Sequence, residues 1–376
     1  MLYGWIKGFD AVSAENHIAA SRTQAEQELR EFTLAADTQL RAKGFMVADH
    51  KPTHLIVRMR DGKMRRRRDG RNLYAIVDYE LLSRTPAYDH VVSTARRSEY
   101  FFRQRDRFLP RDPSTYPSHL KPAKVLGVDY VYGATESTNG QLWVVGNDPE
   151  LVNYFLPERW RQKQVLMSPT NETYYVQTKD RIHLLWKVSN VGEMPAVDEE
   201  DPGFEAMMRQ GFHCPFEEFA MAIEMSRAGV PTVHPRAIYA TGKYGGVPGC
   251  VSDGRRFERM ANVLSPDGKC VLPPDQDYIT LWGYWRGLDD VQGCTDIVRW
   301  APMDAAQACR AGMIGAKELD AMIQRQRRTL AVAGFEDVNL RGEHLLLSYV
   351  PEGSFKTDDR GEIELRQCNF EFVRRL

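Results

Sequence analysis

GFEDVNLRGEHLLL at 334–347 and EIELRQCNFEFVRR at 362–375, separated by a short loop, form the stretch that decides the fold. Gly334 closes the run 316–333, in which Leu319, Met322, Ile323 and Leu330 share one face of a helix. A polar loop follows, then an apolar strand, a long hairpin tip and a second strand. Near the end of that second strand stands Asn369-Phe370-Glu371, with Phe370 and Phe372 alternating as core positions. The order is helix, polar loop, hairpin.

Outward from this stretch, composition sets the limits. The chain has 376 residues, 43% hydrophobic and 27% charged, which is enough for two domains with buried cores. A formal net charge of -1 excludes a molecule that binds nucleic acid by overall electrostatics. No window approaches the eighteen or so uninterrupted apolar residues of a membrane span, and the first residues lack the pattern of a signal peptide. The six cysteines are scattered without a CxxC pair, which predicts reduced thiols and a cytoplasmic protein. His213-Cys214 stands alone, without the spaced ligands that a zinc site needs, so no metal site is expected there.

In chain order, the run 14–43 carries Leu29, Phe32, Ala36 and Leu40 at helical spacing and ends at Gly44. Two strand-like runs, 54–60 and 73–82, flank Lys63, Arg65, Arg66, Arg67, Arg68 and Arg71, with Asp-Gly pairs on both sides. This reads as a basic hairpin tip, either a solvated loop or a contact for nucleic acid or another polyanion. A basic helix is expected over 87–109, then a proline-rich connection over 110–122. The two strands after it are joined at Asn139-Gly140, a strong hairpin signal. Asp148 caps a helical segment reaching about 161, and a domain boundary is placed near 155.

Beyond the boundary, 164–167, 173–178 and 182–189 read as strands. The third contains Lys187 within an apolar run. A lysine there is costly unless it is paired, or unless the strand is an edge from which it reaches water. The helix 215–228 has proline at its start, glycine after its end, and Glu217 and Glu218 on its first turn, where the helix dipole alone would favour them. Strands follow near 230–239 and 277–285, with a glycine- and proline-rich surface insertion between them at about 241–276.

From about 164 onward this order resembles the kinase-like fold, and most nearly the lipopolysaccharide kinases with their aminoglycoside-phosphotransferase and Rio-like relatives. The resemblance implies an α+β chain: an N-terminal mixed α/β domain over 1–155, then a kinase-like domain over 156–376 with an antiparallel-sheet N-lobe and a truncated helical C-lobe. It implies that Lys187 is the phosphate-binding lysine and that Glu218, with Glu217 as the alternative register, is its helix partner. Asn339 falls at the catalytic aspartate, His344 at the metal-binding asparagine five residues on, and Cys368-Asn369-Phe370-Glu371 at DFG.

The departures are chemical. Asn339 cannot act as a base, Asn369 lacks the charge that attracts Mg²⁺, and no GxGxxG lies between the first two strands. Asp337 would have to supply the carboxylate, and Glu343 and Glu371 the metal ligands. The resemblance therefore implies a pseudokinase or atypical phosphotransferase. It would bind ATP through Lys187, Glu218, His344 and Asn369, with Asp337 and Asn339 in the catalytic loop and Mg²⁺ poorly provided for. The other reading is a non-catalytic regulatory protein that contacts a polyanion through the arginine hairpin.

Overall fold

The computed structural model describes residues 7–17, 22–49, 51–77, 80–161, 164–168, 172–201, 203–242, 251–285, 300–350 and 352–376. Residues 169–171, the centre of the loop read for a glycine-rich pattern, lie outside them. The chain divides into two compact units, Met1–Ala95 and Arg96–Leu376. The division falls inside the helix Pro86–Arg105, well before the boundary near 155 that the sequence reading sets.

In the first unit the helix Arg22–Ala42 buries Leu29, Phe32 and Ala36, the residues its spacing marks, while Leu40 is half-buried. They meet Leu55 and Val57 from the middle strand of a three-stranded sheet formed by Phe9–Asp10, Leu55–Val57 and Tyr74–Ile76. Gly44 ends the helix at φ +85°, a conformation open to glycine without steric cost. The basic tip is a small ladder: Met59–Arg60 pairs with Lys63–Met64, and Arg66 bridges Asn72.

The second unit is organised by one eight-stranded antiparallel sheet. Its order is Val165–Ser168, Thr173–Gln177, His183–Val188, Tyr278–Gly283, Pro235–Ala240, Gly140–Val145, Val128–Thr135, Leu120–Val125. Each end is a meander of hairpin-connected strands, and the middle is closed by pairings distant in sequence, such as Leu142 opposite Tyr239 and Lys187 opposite Thr280. The strands over 120–145 are therefore continuous with those over 165–188, which is why the unit begins near residue 96. The α+β class holds. A small sheet closed off as a lobe of its own is not what these strands build.

Both faces of the sheet are covered, so strand alternation sorts residues into two cores. Val131, Leu142, Val144, Ala237, Tyr239, Leu184 and Trp186 meet Tyr100 and Phe101 of the helix Pro86–Arg105 on one side. Tyr130, Trp143, Ile238 and Trp282 meet Phe216, Phe219 and Ile223 of the helix Pro215–Arg227 on the other. The region read as a surface insertion is partly core: the helix Arg255–Met260 and the turn beyond it bury Met260, Val271 and Leu272. Beyond the sheet, Ala316–Val332 forms the expected helix, Ala301–Asp304 pairs with Leu345–Tyr349, and Phe335–Asp337 pairs with Val373–Arg375. No described helix is long and apolar enough to cross a membrane, and Cys214, Cys270, Cys309 and Cys368 are free thiols.

Candidate functional site

Strand alternation decides where Lys187 goes. On His183–Val188, Leu184 and Trp186 face the core shared with Pro86–Arg105, so Lys187 faces the helix Pro215–Arg227. The strand is interior to the sheet, with Thr173 and Thr280 opposite Lys187 on its two sides, and the lysine is buried. The edge-strand alternative, with the ammonium in water, does not occur.

Two carboxylates meet the ammonium: Glu371 Oε1 at 2.6 Å and Glu218 Oε2 at 3.3 Å. The two glutamates on the helix's first turn have separate tasks. Glu217 accepts from the Cys214 backbone N–H at 3.0 Å and pairs with Arg256 at 2.9 Å, so it caps the helix and ties down the segment after it. Glu218 turns inward to Lys187. Glu371 also accepts from Asn190 Nδ2 at 3.2 Å and Asn369 Nδ2 at 3.1 Å.

Electrostatics divide the two acids. Burial works to lower the Lys187 pKa, and Glu218 and Glu371 together outweigh it, so the lysine is held above its usual range. Burial raises Glu218 to about 7 against the pull of Lys187, with Glu371 adding to the rise. Burial also works against Glu371, but Lys187 and the Asn369 hydrogen bond overcome it and hold this carboxyl low. Glu371, nearer and better furnished with donors, carries the negative charge. Glu218 keeps its proton more readily, and its Oε1 is buried without a hydrogen-bond partner.

A second polar chain adjoins the triad. Asp337 Oδ2 accepts from Gln367 Nε2 at 2.9 Å and lies 3.2 Å from His344 Nδ1, while its Oδ1 takes the Asn339 backbone N–H at 3.0 Å. His344 therefore carries its proton on Nδ1, and its Nε2 accepts from Asn369 Nδ2 at 3.4 Å. Asn369 is the link, touching both His344 and Glu371. Both oxygens of Asp337 are occupied by structural donors, which fits a clamp on this loop better than a free base. Asn339 is half-buried, and its Oδ1 is buried without a hydrogen-bond partner. Glu343 is exposed, 3.4 Å from Arg310. Among the described residues no group of three or more His, Cys, Asp or Glu is arranged to hold a metal ion.

Sequence reasoning underrates Glu371, the nearest partner of Lys187, and misses His213, whose backbone N–H donates to the Glu371 carbonyl at 3.1 Å and whose Nδ1 lies 3.1 Å from the Phe370 carbonyl. The readable signal is the alternation of Asn369 and Glu371 with Phe370 and Phe372: Phe370 stacks on Trp282 with centroids 5.2 Å apart, which leaves the polar pair to the other side.

The arginine tip in the first unit is exposed throughout. Arg71 lies 3.9 Å from Asp69, and no ion pair holds Arg65, Arg66, Arg67 or Arg68 among the described residues. The tip is fixed by its own backbone, through Arg65 N–H to the Arg58 carbonyl and Arg67 N–H to the Arg71 carbonyl. Exposed arginines held only by their backbone fit a solvated loop and a polyanion contact alike.

No family model matches the chain, and no curated protein does. Among solved structures it is similar to the aerobactin synthetase IucC from a hypervirulent pathotype of Klebsiella pneumoniae, at 10% identity and a TM-score of 0.22, over 93% of this chain and 78% of that one. A likeness of that size carries no conclusion about fold or activity. The resemblance to lipopolysaccharide kinases and their relatives is not upheld: no kinase family model and no curated kinase matches, and the strands expected to form a small lobe belong to one eight-stranded sheet. The pseudokinase and phosphotransferase readings go with it. The Lys187–Glu218 contact does not rescue them, because a lysine buried in any sheet needs a carboxylate beside it. The ion pair follows from burial and identifies no family.

Proposed function

We propose that Arg96–Leu376 is a small-ligand-binding unit, that its site is the polar cluster around Lys187, and that its ligand carries a phosphate group, with ATP the first compound to test. The observation that carries this reading is a donor and an acceptor left over side by side in the interior. An ammonium has three N–H donors, and Glu218 and Glu371 take two of those of Lys187. Oε1 of Glu218 has no hydrogen-bond partner. Buried polar atoms are nearly always satisfied, and an unsatisfied pair beside a titrating carboxyl marks a place for a ligand. A phosphate oxygen suits the lysine donor, and protonated Glu218 would add an O–H donor. Mg²⁺ has no protein cage here, so it would arrive with the phosphates and borrow one or two carboxylates, as it commonly does. No transfer step is assigned.

The test is a thermal-shift titration of the whole chain with ATP, with and without Mg²⁺, on the wild type and on Lys187→Met with Glu371→Gln, which removes the lysine without stranding a charge. ATP at a hundred times its Kd should add about 2.7 kcal/mol of stability, a rise of several degrees, to the wild type alone. No rise at millimolar ATP, or an equal rise in the variant, overturns the reading.

A further inference from the structure

The face of the sheet that carries Lys187 continues beyond the triad. On His183–Val188, Leu185 and His183 stand on the same side as Lys187 at alternate positions, and Leu185 packs against the core shared with Pro215–Arg227. Tyr175 lies opposite Leu185 on the neighbouring strand Thr173–Gln177. On the other side, just past Tyr278–Gly283, the Tyr284 backbone N–H donates to the His183 carbonyl at 3.3 Å. Three rings therefore gather at one end of this face. Tyr175 and His183 are nearly parallel, at 22° with centroids 5.9 Å apart. The Tyr284 centroid is 4.7 Å from that of Tyr175 and 6.2 Å from that of His183. Tyr175 Oη lies 2.6 Å from His183 Nδ1, a contact that fixes both rings before any ligand arrives.

Exposure falls along the strand. Tyr175, Tyr284, His183 and Leu185 are half-buried, and Lys187 is buried. Rings held together yet half open to water form an apolar surface that a flat ligand ring can cover, with the polar anchor further in. From His183 to Lys187 is four residues, about 13 Å at the usual strand rise. An extended nucleoside triphosphate spans such a length between its base and its outer phosphates. A sugar phosphate or inorganic phosphate would reach one end alone.

We propose that the ligand of the Lys187 cluster is a nucleotide, with its phosphates at Lys187 and its base stacked on the shelf formed by Tyr175, His183 and Tyr284. The assignment rests on the reading of Lys187 as a phosphate-binding group and adds the chemistry of the other end of the ligand. Every base has a π-face, so stacking gives affinity for nucleotides as a class. The lysine at the far end sets which way round the nucleotide lies.

The test is calorimetric titration of the whole chain with ATP and with ribose 5-triphosphate, which is ATP without its base. The wild type should bind both, and ATP roughly 5- to 150-fold more tightly, the worth of one stacked base. Tyr175→Leu and His183→Leu should each shrink the ratio of the two affinities, and either serves where the other fails to fold. Tyr175→Phe keeps the ring and should keep the ratio. Equal binding of the two compounds by the wild type, a ratio unchanged in the leucine variants, or a ratio lost in Tyr175→Phe overturns the shelf and leaves the phosphate site at Lys187 standing. Binding of neither compound overturns the Lys187 reading, and the shelf with it.

Discussion

At the scale of single residues, His213 and Glu218 are driven in opposite directions by the same cause. Burial disfavours a charge in both, so the histidine falls to about 4 and the carboxyl rises to about 7. His213 is neutral in the folded chain: its Nδ1 donates to the Phe370 carbonyl, and its Nε2 accepts from Gln210 at 3.2 Å. Between pH 6.5 and about 4 the unfolded chain binds the proton and the folded chain does not, so His213 removes stability as pH falls through that window. The drop from 6.5 to about 4 corresponds to roughly 3 kcal/mol at most. Glu218 acts the other way, since its raised pKa means that the folded chain takes up the proton first and gains stability as pH falls from about 7 to 4.5. The two partly cancel in the whole protein, so the informative quantity is a difference. Urea unfolding of His213→Gln and the wild type at pH 7 and pH 4 should show the wild type losing up to ~3 kcal/mol more than the variant on acidification. Equal losses would mean that His213 is not held neutral by its surroundings.

At the scale of elements, one strand, one helix and the C-terminal segment each supply a member of the Lys187 triad, and this sets how far the site can be read from sequence. The periods are legible. Apolar spacing gives Ala316–Val332 to within a residue and the end of Arg22–Ala42, whose start lies eight residues inside the expected run 14–43, and Asn139-Gly140 gives the hairpin between Val128–Thr135 and Gly140–Val145. The pairings that close the sheet are not legible, because nothing local in Gly140–Val145 says that it lies beside Pro235–Ala240. For the same reason a lysine in an apolar strand announces that it needs a partner but not which one, and Glu371, far along the chain, shares it with Glu218. Motif order also misled, since a lysine, a glutamate and an asparagine in sequence follow from burial alone. The triad makes a definite prediction at this scale. Glu371→Ala leaves Lys187 facing only Glu218, the carboxyl that holds its proton, and should cost about 3–5 kcal/mol in chemical denaturation. Adding Lys187→Met to Glu371→Gln removes both charges together and should recover most of that loss. A double variant less stable than Glu371→Ala would show that the three groups do not act as one unit.

At the scale of the whole molecule, the eight-stranded sheet is the spine, and protection should follow position within it. Pro235–Ala240 and Tyr278–Gly283 are buried at every residue, covered by helices and flanked by strands on both sides. Val165–Ser168 ends the sheet with Val165, Leu166 and Met167 each about half exposed, and its one pairing, with Thr173–Gln177, breaks register between Leu166 and Ser168. An edge strand of this kind opens by local fluctuation, whereas the central strands exchange their amides only when the unit opens more widely. The first unit has its own small core of Leu29, Phe32, Ala36, Leu55 and Val57 around short strands, so its amides belong to a separate and less protected population. Hydrogen exchange read by peptide mass should therefore rank three classes. Slowest should be 235–240 and 278–283, intermediate the helix Arg22–Ala42 with the strands beside it, and fastest among ordered strands 165–168. If 165–168 were as protected as 278–283, the sheet would have to continue past its present edge, through pairing with another segment or another molecule. The order given by the strands would then describe only part of the assembled sheet.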